Sequence, residues 1–556
     1  MSDNSAQVQK LKDEGNAFYS SKDYPAAITK YSEAIELDDS NALIYANRAA
    51  CRLAIKHYLD ALADATKAAD LDPTYSKAWA RCAAAYEALG QYRGSQHMWK
   101  KALEVLPPED KLTPAEKRLK QQYEAGLKTS NVAVGREAKL SKDVHQVRKD
   151  QGDLPWEVAS KILDELQRTG DINSSAWTIY AANKDFTQAV EAIKAFKKER
   201  RGEGEMIFAK LGTVADLTNA ILRDARIFRI PESDFLIKLV EQLKFERFQT
   251  KSWHGEPYGP EVVKREAVER LRTQSQDEVR RALTTTVREW IMFGFLSTKV
   301  NPNYTSAVEY LQRALDIINW GREEWKDVPP KDRGVIFNLT FRRGVWNLLL
   351  QATLEAFTEC ESEEQQREHL ENLKRHAEGL IRDVEDNPPN MEELGGQIDP
   401  GFKWSFFDNI RGNAFACIGF YYVQLSEMND PDADPDHVSK HMLAASKCYY
   451  KAASGYPEDD YNYPWYLNCA FQYMAPIGAP TNLVMEILER IRLALPKVNN
   501  LWFRQEGMAQ PERVKTYEKL AKIEERAKEL ISEGKMGGDD GSEPFDWVGV
   551  TDGLGE

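Results

Sequence analysis

Small, apolar and helix-stopping residues recur at a fixed interval over the first hundred positions. Gly15, Ala49 and Ala83 stand 34 residues apart, as do Ala27 and Ala61, then Ala34, Ala68 and Ala102, then Pro73 and Pro107. Self-similarity at this period marks a stack of helix pairs. Small residues let two antiparallel helices close up, and Tyr31 and Trp99 supply the bulk that fills the gap. Proline cannot continue a helical hydrogen-bond ladder, so Pro73 and Pro107 stop second helices. The pattern predicts three pairs, over 8–41, 42–75 and 76–109. One pair cannot bury its apolar face alone, whereas stacked pairs share a continuous core. Thr113-Pro114-Ala115-Glu116 reads as a capping box with proline at the first helical position. Leu119, Tyr123 and Leu127 follow at spacing four, so a helix here covers the third pair and closes a domain over 1–128.

Beyond it, 129–153 reads as a polar linker. From 154 to 530 helix-length amphipathic runs dominate, such as 261–285 and 365–384, while alternation of the strand type is scarce. Pro329-Pro330, Asn387-Pro388-Pro389 and Gly395-Gly396 separate them. Fragments of the first repeat return. Phe415, Ile418, Gly419 and Tyr422 carry the first-helix spacing, and Ala445, Tyr449, Ala452 and Pro457 the second. Trp290, Phe293 and Gly294, followed by Ala307, Leu311 and Ala314, form another such set. The expected class is all-α: an N-terminal three-repeat superhelix and a larger helical region of degenerate repeats. The segment 531–556 is acidic and glycine-rich, with the composition of a disordered tail. It holds one apolar island, 545–550, suited to docking on a partner or back on the chain.

The three in-register repeats resemble the tetratricopeptide family. Asp39 stands where proline is common in that family, Arg52 where tyrosine is common, and Ser95 where alanine is usual. In such stacks the first helix of each pair lines a concave groove. The polar residues this places in the groove are Lys12, Asn16, Asn47, Lys77 and Arg81. Lys12 and Asn16 share a helix face, as do Lys77 and Arg81. Three cations and two carboxamides are donors, and a carboxylate only accepts. All five positions, in Lys12-Asp13-Glu14-Gly15-Asn16, Asn47-Arg48-Ala49 and Lys77-Ala78-Trp79-Ala80-Arg81, resemble the two-carboxylate clamp of heat-shock co-chaperones. The resemblance covers about a fifth of the chain. It implies a ligand ending in Glu-Glu-Val-Asp, the C-terminal peptide of a cytosolic heat-shock chaperone of the 70-kDa or 90-kDa class. Lys12, Asn16 and Asn47 would hold the terminal carboxylate, Lys77 the last acidic side chain, and Arg81 the main chain upstream.

Charge narrows the partners. With 74 Lys+Arg against 88 Asp+Glu the formal charge is −14, which argues against nucleic acid. The basic run Lys197-Lys198-Glu199-Arg200-Arg201 reads as a solvated helix end. No secretory-type apolar segment opens the sequence and no run of about 18 apolar residues occurs, so no membrane span is expected. Cys51, Cys82, Cys360, Cys417, Cys448 and Cys469 are scattered, without a Cys-x-x-Cys pair, and read as free thiols of a reducing compartment. The expected location is the cytoplasm, with the nucleus as the alternative.

The remaining candidates carry little chemistry. The acidic segment 429–436 lacks the glycine and glutamate of a calcium loop. His437 and His441 have metal-compatible spacing but no third ligand in the sequence pattern. Phosphate loops and nucleophile elbows are missing. No metal, cofactor or catalytic residue is therefore expected. The 253–260 stretch, with Trp253 and Tyr258, reads as a structural turn ahead of a contact surface. The 461–466 stretch reads as a helix start packed in the core ahead of a ligand cage. The last residue, Glu556, adds an acidic chain end as a cis competitor for the clamp. The expected function is a non-enzymatic adaptor whose helical region meets a client or second partner. Two alternatives stand: a scaffold for another acidic peptide, and an enzyme with an all-α catalytic region.

Overall fold

The second and third helices begin where short acceptor side chains meet unpaired backbone amides. The Asp23 carboxylate accepts from Ala26 N (3.1 Å) and the Asn41 amide oxygen from Leu43 N (3.1 Å). The computed structural model describes residues 2–140, 153–201, 204–254, 259–300, 302–389, 398–428, 436–504, 511–535 and 547. Among these the chain is helical apart from one hairpin, an all-α fold built from tetratricopeptide-like pairs. The N-terminal helices are α1 (Ser2–Ser20), α2 (Tyr24–Leu37), α3 (Ala42–Ala54), α4 (Tyr58–Leu71), α5 (Ser76–Ala88), α6 (Tyr92–Glu104) and α7 (Pro114–Leu140). Next come α8 (Pro155–Thr169), α9 (Ala176–Lys194), β1 (Lys197–Arg201), β2 (Gly204–Phe208), α10 (Thr213–Arg223), α11 (Phe235–Thr250), α12 (Pro260–Arg270), α13 (Gln276–Lys299) and α14 (Tyr304–Glu324). The last series is α15 (Leu339–Ala356), α16 (Glu363–Asp386), α17 (Asn409–Glu427), α18 (His437–Ala453), α19 (Asn462–Met474), α20 (Thr481–Trp502) and α21 (Pro511–Ser532).

Helices α1 to α7 pack in sequence order. At Gly15 a Cβ would stand 2.6 Å from the Tyr31 ring, so the small residue of the repeat is a steric requirement. The turn inside each pair repeats too. Lys22, Lys56 and Gly90 all adopt positive φ (65°, 63° and 69°), and the amides of Asp23, His57 and Gln91 reach back to the carbonyls of Phe18, Arg52 and Tyr86. This left-handed stop satisfies the last carbonyls of the first helix. Two of the three positions are lysine, at a cost of roughly 1 kcal/mol each. Thr113 and Glu116 form the reciprocal cap of α7, with Thr113 N to Glu116 Oε2 at 2.8 Å and Glu116 N to Thr113 Oγ1 at 3.2 Å. Tyr123 is buried against Trp99, ring centroids 5.7 Å apart. Helix α7 continues to Leu140, into the stretch read as a polar linker, and 141–152 lie outside the described residues.

The chain forms two compact units: Met1–Gln146, Ile193–Val214 and Ile230–Asn338 in the first, Val147–Ala192, Ala215–Arg229 and Leu339–Glu556 in the second. The sequence reading kept 154–530 together, whereas much of it joins the N-terminal repeats. The reason is polar. Glu309 Oε1 of α14 accepts from Leu59 N (2.8 Å) at the start of α4, and Arg313 pairs with Asp60 (2.6 Å). Asn303 donates to the Ala88 carbonyl (2.6 Å). Contacts of side chains with helix ends carry no periodic signal. In the same unit the run 261–285 divides into α12 and α13, because Ser275 and Glu278 cap a new helix. Helices α13 and α14 make the predicted close pair, with Gly294 against Leu311. The basic run 197–201 is a strand and not a helix end. It pairs antiparallel with β2, Lys197 opposite Phe208 and Glu199 opposite Met206. The β-prone partner Met206-Ile207-Phe208 explains this, and the basic run read alone hides it.

In the second unit, α15 to α20 stack as three successive pairs closed by α21. Gly419 faces the Tyr449 ring, 3.0 Å from an added Cβ, which is the pair the spacing predicts. Tyr449 in turn stacks on Tyr466 and Tyr473, centroids 6.2 and 5.9 Å away. Trp547 departs from the expectation of a disordered tail. It is fully buried, donates from its indole N–H to the Ala479 carbonyl (3.0 Å), and meets Phe471 edge-on. An indole that satisfies its one donor can bury a large apolar area. The rest of 536–556 lies outside the described residues.

Candidate peptide-binding site

The first helices α1, α3 and α5 carry the five polar residues singled out in the sequence. Asn16 and Asn47 meet directly: Asn47 Nδ2 donates to Asn16 Oδ1 at 3.2 Å, bridging the first and second repeats. The same oxygen accepts from the Tyr31 hydroxyl at 2.8 Å. Burial pushes the Tyr31 phenol up to about 12, so it remains a donor at neutral pH. Asn16 is exposed and its oxygen is doubly engaged, which leaves its NH2 and one N–H of Asn47 outside these two bonds.

Arg81 is half-buried on α5, close enough to act electrostatically on Tyr31, Cys51 and Tyr123. Its Nη1 is enclosed and has no hydrogen-bond partner within the protein. A buried charged donor left unpaired costs about 1–3 kcal/mol or more. Lys77 lies exposed one turn before Arg81, without an ion pair among the described residues. Lys12, half-buried one turn before Asn16, donates to Gln9 Oε1 at 2.9 Å. No hydrogen bond among the described residues ties Lys12 or Lys77 to the other three.

A charge cluster stiffens the middle repeat beside this floor. Asp64 of α4 is buried and shared by two guanidinium groups. Arg48 contacts it through Nε (2.9 Å) and Nη2 (2.7 Å), and Arg52 through Nη1 (2.7 Å). Arg52 is the residue that departs from the family pattern, and its pairing with Asp64 accounts for the departure. Sequence reading assigned Tyr31 to packing alone and gave Asp64 no role. The 34-residue period marks Tyr31 as large and says nothing of its hydroxyl.

The other candidates resolve as structure. The Trp253 ring is buried under Arg270, its N–H bonded to Glu266 (2.8 Å), so the 253–260 stretch is anchored as a turn; 255–258 lie outside the described residues. Tyr461 precedes α19 and packs edge-on to Trp502, 4.7 Å between centroids. His441 stacks on Tyr422, and no cluster of three metal-ligating side chains exists among the described residues. The segment 429–435 and Glu556 lie outside them. None of the six cysteines forms a disulfide; four are buried and Cys360 and Cys448 half-buried. No described helix is long and apolar enough to cross a membrane.

Residues 15–51 match the TPR repeat family. The chain is 42% identical over 96 residues to a protein named heat shock protein sti1 homolog from Schizosaccharomyces pombe, 17% of this chain and 16% of that one. It is 41% identical over 100 residues to serine/threonine-protein phosphatase 5 from Homo sapiens, 18% of this chain and 20% of that one. Among solved structures it is similar to the second TPR domain of human RPAP3 in complex with the HSP70 peptide SGPTIEEVD. There the identity is 32%, the cover 23% of this chain and 98% of that one, and the TM-score 0.20. The chain spans between 16% and 34% of the length of the first three curated relatives.

Proposed function

We propose that the groove of α1, α3 and α5 is a two-carboxylate clamp for the C-terminal peptide of a cytosolic heat-shock chaperone, and that the protein is a co-chaperone adaptor. The observation that carries this reading is the donor floor. Asn16 and Asn47 are oriented by Tyr31, and Arg81 holds an enclosed, unpartnered N–H beside them. No carboxylate among the described residues pairs with Lys12, Lys77 or Arg81, so the groove fits a ligand that brings its own. The terminal carboxylate takes Lys12, Asn16 and Asn47, the last acidic side chain takes Lys77, and the main chain upstream takes Arg81. The 42% identity of this segment to a heat shock protein sti1 homolog supports the same partner class, either the 70-kDa or the 90-kDa chaperone. The larger helical region then carries a client or second partner, and no cofactor or metal enters the mechanism.

Titration of the full chain with the peptide Met-Glu-Glu-Val-Asp tests the reading. Arg81→Ala and Lys77→Ala each weaken binding by about 1.5–3 kcal/mol, the value of a hydrogen bond to a charged group. Affinity unchanged in both variants refutes the clamp.

A further inference from the structure

The second unit holds a cavity of about 240 Å³ that the clamp does not use. Its walls are aromatic: Trp156 at the start of α8, Tyr461 before α19, and Trp502 and Phe503 where α20 ends. The charged lining is Arg226 and Arg513, the latter on α21, and no acid among the described residues lines the space. The rings brace one another. Tyr461, packed edge-on to Trp502 at 4.7 Å, lies 6.3 Å from Phe503. The Trp502 indole N–H donates to the Asp459 carbonyl at 2.9 Å, which fixes that wall.

The two arginines differ. Both lie over the Tyr461 ring, 4.8 and 5.1 Å from its centroid. Arg226 bonds Asp224 and Asp460 at 2.7–2.9 Å, so its charge is already paired. Arg513 is half-buried, lies over Trp465 as well (4.5 Å), and makes no ion pair or hydrogen bond among the described residues. The half-buried Trp156 indole likewise has no hydrogen bond among them. A guanidinium that rests on aromatic rings keeps its N–H fork for a planar acceptor, and a carboxylate matches that fork best.

Size selects the rest of the ligand. Sites for whole small molecules measure roughly 300–1,000 Å³, so this smaller cavity suits a single side chain. Aromatic walls favour a ring, which packs edge-on or offset against them.

We propose that this cavity is a second peptide-binding site, whose ligand is a partner segment with an aromatic residue beside an acidic one. The ring enters the cavity and the neighbouring side-chain carboxylate takes Arg513. Trp156 supplies a wall and a second donor. Arg226 acts through Tyr461, as a positioning residue. None of these residues belongs to the N-terminal repeats, so the site stands whether or not the clamp reading holds.

The test titrates the full-length protein with acetyl-Asp-Phe-Asp-amide and its isostere acetyl-Asn-Phe-Asn-amide, followed by saturation-transfer NMR of the peptide ring. Neither peptide has a free chain end for the N-terminal groove to read. The aspartate peptide binds about tenfold tighter, as a charge-assisted hydrogen bond requires. Arg513→Gln weakens the aspartate peptide about tenfold and leaves the asparagine peptide unchanged. Trp156→Phe keeps a ring in the wall, deletes the indole N–H, and weakens the aspartate peptide about threefold. Arg513 is partly exposed, so its variant keeps the test decisive where Trp156→Phe disturbs the fold. Equal affinity for the two peptides overturns the proposal. So does an Arg513→Gln chain that loses both peptides alike, or an unsubstituted chain that binds neither saturably.

Discussion

The N-terminal stack, α1 to α7, and the C-terminal stack, α15 to α21, share one plan and finish it with opposite chemistry. Each is three helix pairs and a closing helix. Asn47 stands two residues before Ala49, and Asn468 two before Ala470. The N-terminal stack is organised around charge: one buried carboxylate, Asp64, is held by two arginines. The second unit reverses the count. One guanidinium, Arg226, is held by two carboxylates, Asp224 and Asp460, at 2.7–2.9 Å. Its stack is filled by aromatic rings, Tyr449 between Tyr466 and Tyr473, and its core also takes in Trp547 and Leu520, Ile523 and Ala527 of α21. A common backbone plan therefore does not set which side chains organise a stack's interior.

The sharpest way to break the contrast is to remove its charge. Asp64→Ala leaves Arg48 and Arg52 without their shared partner and costs the first unit about 3–5 kcal/mol, read by thermal or urea unfolding. A loss below about 1 kcal/mol would mean that packing alone holds the middle repeat.

A second effect, nearly as large, lies where α14 braces α4. Burial raises the Glu309 carboxyl from 4.5 to about 7, and its Oε2 has no partner within the protein. The unfolded chain ionises near 4.5, so the folded state holds the proton more tightly between these values. Glu309 therefore costs nothing below about pH 4.5, and its penalty grows as pH rises to 7 and then levels off. Glu309→Gln keeps an acceptor for Leu59 N and removes the penalty. The variant gains about 3 kcal/mol over the unsubstituted chain between pH 5 and pH 8. Parallel stability curves for the two proteins would contradict the assignment.

The smallest effect sharpens the contrast at the groove itself. Tyr31→Phe preserves the ring that fills the space at Gly15 and deletes the hydroxyl that holds Asn16. Peptide affinity falls about fivefold, near 1 kcal/mol, with stability little altered. Calorimetry of the variant separates this from a packing loss.

The period-34 pattern made the N-terminal pairs legible because each repeat needs the same small residue against the same large one, as at Gly15 and Tyr31. It reached Gly294 with Leu311 and Gly419 with Tyr449 for the same reason. The candidate groove residues were named from the family resemblance and not from periodicity, which places a residue on a face without saying what it bonds. What stayed hidden is made of contacts far apart in sequence. Glu309 capping α4 spans 250 residues, and Trp547 reaches Ala479 across 68. The strand at 197–201 was hidden differently, since its identity resides in the partner at 204–208. Asp64 was overlooked because a lone aspartate on an amphipathic helix looks solvated until two arginines are found on the neighbouring helix.

The central claim concerns a chain end. The direct measurement is calorimetric titration of the full-length protein with Met-Glu-Glu-Val-Asp bearing either a free or an amidated C-terminus, at low and at moderate salt. The free acid binds at least about tenfold tighter, because amidation removes the acceptor that the Asn16, Asn47 and Lys12 donors are set to meet. That advantage shrinks as salt rises, since the contacts are partly exposed charges. Equal affinity of the two peptides would show that the groove does not read a terminal carboxylate.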